Sequence, residues 1–311
     1  MEILNTFLIA PILDMASSPI FLLEVIIGGL MAGVMYSLVA LGFVLIYKAS
    51  GVFNYAQGAM VLFAALTLVG LLEREMPLFF ALIVTMVVMV GVAFLIERYM
   101  LRKLVNQAQI ILFMATIGLN FVFEGTGQIA WGSNVKRLDV GIPEQSFQIG
   151  GILLNSFDVF AAVTAALMVA VLAVFFQKTA IGRALRAVAD DHQAALSVGI
   201  PLKTIWVIVW SVSGFVALVA GIMWGGKAGV QFSLVLIALK ALPVLILGGF
   251  ESVPGAIIGG LLIGIFEKVS EVYWGPAFGG AIEGWFAYMA ALVFLMFRPQ
   301  GLFGEKIIER V

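Results

Sequence analysis

Residues 77–97 read PLFFALIVTMVVMVGVAFLIE and carry a charge only at the last position. A helix needs about 20 mostly apolar residues to cross the hydrocarbon core of a bilayer, so this stretch predicts a transmembrane helix. Similar apolar stretches recur along the rest of the chain. They predict further spans near residues 21–47, 58–72, 108–128, 156–176, 204–224, 234–250, 254–270 and 281–297.

Two of these spans, 58–72 and 234–250, are short, and the second contains Pro243. We therefore expect about eight or nine transmembrane helices, some of them interrupted. The fold class is an all-α, polytopic helical membrane bundle, and residues 1–311 are expected to form a single transmembrane domain.

The composition of the 311-residue chain supports this class. Hydrophobic residues make up 63% and charged residues 11%, and the mean hydropathy is +1.14, whereas a soluble protein usually has about 25% charged residues. The net charge of −1 excludes a strongly basic surface for nucleic acid. With no cysteine and one histidine, the chain lacks the residues of disulfide frameworks, thiolate metal sites and most histidine-based catalysis. We expect no catalytic residue, no metal site and no cofactor bound by this chain.

The placement of lysine and arginine predicts the orientation, because cytoplasmic loops are enriched in both residues. Most of the 17 basic residues lie in segments 98–103, 178–203 and the tail from Arg298, which share one side of the predicted bundle. No basic residue precedes Lys48. We therefore expect the N-terminus on the outside of the membrane and the C-terminus in the cytoplasm.

Two connections are long. Residues 129–155 form the predicted periplasmic loop, where the alternation from Gln145 to Ile149 favours a short hairpin. Residues 177–203 form the predicted cytoplasmic loop, which is too short for a nucleotide-binding domain. In it, residues 181–187 favour a helix, Asp190 can cap a second helix over 191–198, and Gly199 stands where a left-handed C-cap is needed. A short helix here suits the docking of a soluble partner, and an ordinary amphipathic connector is the alternative.

Residues 51–58 read GVFNYAQG and interrupt an apolar stretch with Asn54 and Gln57. Backbone that leaves a helix at membrane depth must face protein or a water-filled cavity. Interrupted spans in both halves of a transporter indicate its substrate site. The matching break would lie near Pro243 or at residues 248–255, and a plain surface turn at a helix end is the alternative.

Ionisable residues inside spans usually face the interior of a bundle or a cavity, because they are costly in lipid. Glu124 and Lys240 are the clearest examples, and they could pair with each other. Glu267 and Lys268 lie near the end of a predicted span, where they are able to extend to the surface.

Glycine is abundant, with 34 residues. G-x-x-x-G spacings allow helices to approach closely in a membrane. They occur at Gly29/Gly33, Gly221/Gly225, Gly260/Gly264 and Gly280/Gly284.

A series of segments gives the chain a resemblance to a known family over about residues 21–304. In order they are Gly29–Gly42, Asn54–Gly58, Thr116–Asn120, Gly182–Ile200, Leu239–Ala241, Leu247–Ala256 and Phe297–Leu302. Together they resemble the permeases of branched-chain amino acid ABC importers, in particular the LivH type.

The resemblance implies a transport subunit that is not itself an enzyme. Its partners would be a second homologous permease subunit, two ATPase subunits that use ATP and Mg, and a periplasmic binding protein that delivers an amino acid. The loop at 182–200 would carry the cytoplasmic coupling helix. The substrate pathway would include Tyr36, Asn54, Tyr55, Gln57, Asn120, Glu124 and Lys240. Coupling to the ATPase would involve Arg183, Arg186, Asp190, Asp191, Ala194, Gly199 and Ile200.

Departures from the family pattern leave the substrate open. Ala59, Tyr55, Pro243 and Glu124 each differ from the usual residue, and they cluster around the predicted pathway. The favoured substrate is a branched-chain or related amino acid, and the alternatives are urea, short amides or another small polar organic solute.

Two other classes compete with the importer. A stand-alone secondary transporter would need intramembrane ion-coupling carboxylates, and Glu124 is almost the only candidate. An intramembrane hydrolase would need a reactive pair, which the chain does not supply. Gly221–Lys227 begins like a P-loop, but Ala228 stands where Ser or Thr would bind magnesium.

Overall fold

A computed structural model of the chain describes residue 7 and residues 9–104, 107–143, 145–190 and 192–304. Within these residues the backbone is mostly helical. The helices are α1 (Ala10–Ser17), α2 (Pro19–Ser50), α3 (Gln57–Leu72), α4 (Leu78–Tyr99), α5 (Gln109–Trp131), α6 (Ser156–Lys178), α7 (Ala180–Asp190), α8 (His192–Ser197), α9 (Leu202–Ala228), α10 (Ile237–Gly248), α11 (Val253–Phe278) and α12 (Glu283–Phe297). Short 3₁₀ helices cover Leu101–Lys103 and Phe232–Leu236, and strands β1 (Ser146–Ile149) and β2 (Ile152–Asn155) pair with each other.

Each predicted span contains one of these helices, so the polytopic helical class is confirmed. Among the described residues, six helices have the length and apolar composition to cross a membrane: α2, α4, α5, α6, α9 and α11. Three apolar helices are shorter: α3, α12, and α10 with the 3₁₀ turn before it. At about 1.5 Å per residue these three are shorter than a bilayer core of about 30 Å.

The chain divides into two compact units that interleave in sequence. The first unit comprises residues up to Ser37, Ile142–Ala166 and residues from Lys240 onward. The second unit comprises Leu38–Gly141 and Leu167–Leu239. Helices α2, α6 and α10 each run from one unit into the other.

Helix α3 is the core of the second unit and packs against α4, α5 and α9. Nearly all of its residues are buried, because small side chains let its neighbours approach closely. A Cβ added at Gly58 would overlap the Val235 carbonyl, and one at Gly70 would overlap the Trp131 ring. On α9, Gly221 lies directly against the backbone of Val61. A short helix surrounded in this way can be apolar on every face.

In the first unit, α2 and α11 approach each other through glycine on both helices. A Cβ on Gly29 would lie 2.8 Å from the Gly264 carbonyl oxygen, and one on Gly33 would lie 2.6 Å from the Gly260 oxygen. Just beyond this contact, the Ser37 hydroxyl donates to the Ile257 carbonyl at 3.1 Å. These two G-x-x-x-G predictions are confirmed.

The prediction for the fourth spacing, Gly280/Gly284, is wrong. Gly280 lies in the turn after α11 with a φ of 86°, and a Cβ added at Gly284 would meet open space. Gly280 thus serves a left-handed turn, a conformation that glycine adopts without steric cost.

The predicted hairpin is present in the loop before α6. Gly150 and Gly151 connect its strands with φ angles of 60° and 90°, the conformation that tight hairpin turns require. Leu153 N donates to Glu24 Oε2 at 2.8 Å, so the hairpin is fixed to α2.

The break in the second half lies at residues 249–252. Of the two predicted positions, residues 248–255 are therefore confirmed and Pro243 is wrong. Helix α10 continues through Pro243 to Gly248, because neighbouring groups in a membrane bundle can satisfy the carbonyl that a proline frees. Residues after α12 then return to this break, where Leu302 N donates to the Leu247 carbonyl at 2.8 Å and Phe303 N to the Gly248 carbonyl at 3.2 Å. The tail thus caps the end of α10.

Replacing Gly33 by Leu should destabilise the contact between α2 and α11, because a side chain there must displace helix backbone. Overpacking of this kind costs about 1–3 kcal/mol or more. We expect a clear fall in the thermal unfolding temperature of the detergent-purified protein. Gly28→Leu is the matched control, since a Cβ at Gly28 meets open space. Equal destabilisation by the two variants would contradict the packing argument.

Candidate functional site

The break between α2 and α3 carries a buried amide cluster. The Asn54 Oδ1 atom accepts from Ala56 N at 3.2 Å, which forms a local turn and starts α3. The Gln57 Oε1 atom accepts from the Ser213 hydroxyl at 2.8 Å and from Asn54 Nδ2 at 3.3 Å. Asn54 and Gln57 are both 0% exposed. The structure therefore brings these two predicted pathway residues together, in a closed environment within the second unit.

The Gln57 amide is incompletely satisfied. Its Nε2 atom is buried and has no hydrogen-bond partner among the described residues. This amino group lies against Gly42, where a Cβ would come within 2.6 Å of it.

Helix α5 presents two further predicted residues. Asn120 is buried, and its Nδ2 donates to Glu124 Oε1 at 2.5 Å, one helical turn away. Thr116, on the same helix, joins the break: its hydroxyl accepts from Tyr55 N at 3.1 Å. The side chain of Tyr55 is 38% exposed, unlike its buried neighbours in the break.

An ionic cluster lies in the first unit and joins four helices. Lys240 on α10 donates to Glu267 Oε1 on α11 at 2.8 Å and to Glu283 Oε1 on α12 at 3.2 Å. The Tyr36 hydroxyl on α2 donates to Glu267 Oε1 at 3.1 Å. Lys268 extends the cluster by donating to Glu283 Oε2 at 3.3 Å. Predicted residues Tyr36 and Lys240 are thus neighbours, and the partner of Lys240 is Glu267, whereas Glu124 bonds to Asn120.

The prediction that Glu267 extends to the surface is wrong. Glu267 is 2% exposed, because α11 continues to Phe278 and the residue lies well inside the helix. Lys268 is the half-exposed member of the pair.

Sequence reasoning also missed Glu283, the first residue of α12. Its position depends on Glu271, whose carboxylate accepts from the backbone N–H groups of Ala281 and Glu283, each at 2.8 Å. An acidic residue on the preceding helix therefore fixes the start of α12.

The cytoplasmic loop predicted from the sequence contains two helices, α7 and α8. The prediction for Gly199 is confirmed, since its φ is 85°. Gly199 N bonds to the Leu196 carbonyl and Ile200 N to the Ala195 carbonyl, each at 3.0 Å, which is the Schellman pattern of a helix end. Arg186 Nη1 donates to the Phe176 carbonyl at 2.5 Å, and Arg183 Nη1 to the Lys178 carbonyl at 3.3 Å. Both arginines therefore bond to their own loop or to the helix end before it.

The prediction that Asp190 caps the second helix is wrong. Asp190 is the last residue of α7, because the alanine-rich run before it favours continued helix. Asp191, predicted to take part in coupling, lies outside the described residues, as does the Asp190 side chain.

Exposed apolar residues mark α8 and its end, and the sequence-based assignment missed them. Leu196 is 53% exposed and Val198 is 74% exposed, and the predicted residue Ala194 is also exposed. Leu185, Val188 and Ala195 are buried. The strongly amphipathic α7 thus supports a helix whose own apolar side chains are uncovered, which is typical of a docking surface.

A family model described as the permease component of branched-chain amino acid transport systems matches residues 25–297. The chain belongs to this family. The family prediction made from the sequence is therefore confirmed.

Similar proteins align over almost their whole length. The high-affinity branched-chain amino acid transport system permease protein BraD of Pseudomonas aeruginosa is 27% identical, and the alignment covers 93% of this chain and 98% of that protein. LivH of Escherichia coli (strain K12), which bears the same description, is 26% identical and is covered at 96% and 100%. A probable LivH of Methanocaldococcus jannaschii is 28% identical and is covered at 86% and 88%. The permease is thus a multi-pass membrane transport subunit.

Removing Lys240 should destabilise the permease strongly, because Lys240→Met leaves the buried Glu267 carboxylate without its ion partner. Breaking a buried pair from one side costs about 3–5 kcal/mol. The double variant Lys240→Met/Glu267→Gln removes both charges and should recover much of this loss. Chemical unfolding of the purified protein measures the differences.

Glu73→Gln is the control for this series, since Glu73 is half-exposed and pairs with Lys136 at the end of α3. Exposed ion pairs contribute about 1 kcal/mol or less. If Lys240→Met costs no more than Glu73→Gln, the cluster is not an energetic centre of the fold.

Proposed function

We propose that the chain is the permease subunit of a binding-protein-dependent ABC importer for branched-chain or related amino acids. The observation that carries the proposal is the alignment with BraD and LivH over almost the whole of both chains. ATP hydrolysis belongs to partner subunits in this proposal. The test is uptake of labelled leucine into proteoliposomes that contain the complete importer, with ATP inside and the binding protein outside.

The proposed assembly contains a second homologous permease subunit, two ATPase subunits and a periplasmic binding protein. Its orientation follows the basic residues, with the N-terminus outside and α7 and α8 in the cytoplasm. The exposed side chains of Leu196 and Val198 support this arrangement, because they suit an apolar groove on a soluble partner. The hairpin β1–β2 and the α11–α12 turn would then face the binding protein.

The proposed pathway uses polar residues that lipid would not tolerate. Asn54 and Gln57 are closed in the present conformation, so transport requires a state in which the break at residues 51–56 opens. ATP binding and hydrolysis in the partners would drive the exchange between outward- and inward-facing states.

Leu196→Asp should uncouple the importer, because a carboxylate in an apolar docking contact must be desolvated. We expect leucine uptake to fall by about tenfold or more, corresponding to a contact worth at least about 1.4 kcal/mol. The matched control is Val135→Asp, which changes a similarly exposed apolar residue in the loop after α5. Co-purification of the ATPase subunits separates lost docking from lost transport. Full activity of Leu196→Asp would count against α8 as the docking element.

Cysteine labelling tests the proposed opening, and the chain contains no native cysteine. Cysteines at positions 54 and 57 should react with a water-soluble maleimide in one nucleotide state of the complete importer and resist it in another. Thr85→Cys is the control, because Thr85 is also 0% exposed but lies within α4, away from a helix break. Protection of positions 54 and 57 in every state would exclude them from the pathway.

A further inference from the structure

The first unit contains a cavity that the proposed pathway residues do not line. Its volume is about 330 Å³, within the lower range of small-molecule sites. It lies between α2, α11, the start of α6 and the hairpin β1–β2. All of these walls belong to one compact unit, so the cavity is a feature of that unit alone.

Among the described residues, three charged side chains line the cavity, and they have both signs. Glu24 comes from α2, Asp158 from the first turn of α6 and Lys268 from α11. A carboxylate has two oxygens that can accept several hydrogen bonds, and an ammonium has three donors. The hydrogen bond from Leu153 N to Glu24 and the ion pair from Lys268 to Glu283 fix two of these side chains and use only part of that capacity.

The remaining wall is largely apolar. Val25 and Met31 contribute from α2, and Val272 contributes from α11, one turn beyond Lys268. The cavity therefore combines an apolar surface with a cation and two carboxylates. A neutral amide or urea would offer no charge to this cation and these carboxylates, and a dicarboxylate would meet repulsion from Glu24 and Asp158.

Lys268 is also held in place by its own ion partners. It is the first charge in an alternating series that continues through Glu283 and Lys240 to the fully buried Glu267. Each charge in this series has an opposite neighbour, so the position of Lys268 is tied to the helices around it. Preorganised charges of this kind lose little freedom when a ligand binds.

We propose that this cavity binds an amino-acid zwitterion with an apolar side chain. Lys268 would bind the α-carboxylate of the ligand, and Glu24 and Asp158 would bind its α-ammonium group. The apolar side chain of the ligand would pack against Val25, Met31 and Val272. The inference rests on the proposed function and adds a binding site within this chain, distinct from that of the binding protein.

Replacing Gly28, which lies in the cavity wall, is an independent way to fill the cavity. Gly28 lines the cavity, and a Cβ added there meets open space. Gly28→Leu would therefore project into the cavity without colliding at its Cβ, while the charged residues stay unchanged. Gly28→Ala adds only a methyl group and is the matched control.

The experiment measures binding of L-leucine to the permease assembled with its membrane and ATPase partners in nanodiscs, without the binding protein, by ligand-observed NMR. We expect Lys268→Met, which removes a charge-assisted hydrogen bond, to weaken binding by about tenfold or more. Gly28→Leu, which fills the cavity, should weaken binding to a similar extent. Lys268→Arg, which keeps the cation, and Gly28→Ala should bind nearly as well as the native chain. Lys227→Met, a lysine replacement at the exposed end of α9, is the control for general effects of charge.

Ligand analogues provide the second arm. Isoamylamine lacks the carboxylate and 4-methylpentanoate lacks the ammonium, so each should bind about tenfold more weakly than leucine. Equal binding of leucine and either analogue, or unchanged binding by both Lys268→Met and Gly28→Leu, would overturn the inference.

Leucine uptake by the complete importer, measured in parallel, separates this inference from the proposed function. If leucine is taken up but its binding to the permease does not depend on Lys268, the cavity site is overturned and the proposed function stands. Binding that depends on Lys268 without any uptake supports the cavity site and overturns the proposed substrate. If there is neither leucine uptake nor binding that depends on Lys268, the cavity site and the proposed function are both overturned.

Discussion

The close approach of α2 to α11 is the contact on which the polar chemistry of the first unit depends. Backbone lies against backbone there, because Gly29 and Gly33 on one helix meet Gly264 and Gly260 on the other. At this separation the hydroxyl of Tyr36 reaches the carboxylate of Glu267. Helices in a membrane gain little from the hydrophobic effect, so van der Waals contact and hydrogen bonds must hold them together. The same small residues therefore provide the packing and bring the polar groups within range.

Desolvation decides which charges such a bundle can keep. A buried carboxylate without a partner costs several kcal/mol, so the burial of Glu267 requires Lys240 beside it. The series Lys268, Glu283, Lys240 and Glu267 alternates in sign and sums to zero charge. The low charge content of 11% indicates a membrane protein. In the first unit these internal charges form ion pairs, and each buried charge requires its partner.

The helical spans were predictable because a bilayer imposes one length and one composition on every crossing segment. The hairpin was predictable because residues 145–149 alternate in the manner of a strand, and the Gly199 cap because glycine permits left-handed backbone. The partners of buried charges were not, since a pair such as Lys240 and Glu267 depends on how α10 packs against α11 and not on spacing along the chain. Glu267 was misplaced because α11 extends past residue 270, beyond the predicted span, to Phe278. The break at Pro243 was predicted wrongly because a proline usually ends a helix in a soluble protein. Inside a membrane bundle α10 continues through it.

The two polar clusters differ in charge, and this difference bears on transport. In the ionic cluster each charge has an opposite neighbour, so separating its helices leaves buried charges without ion partners, at a cost of about 3–5 kcal/mol for a pair. In the amide cluster the contacts join the neutral groups of Asn54, Gln57 and Ser213, and a neutral hydrogen bond contributes only about 0.5–1.5 kcal/mol. The break before α3 is therefore the less costly place for a conformational change to begin. The ionic cluster is the more costly place, and it is suited to hold the walls of the adjoining cavity in a fixed arrangement while the break opens and closes.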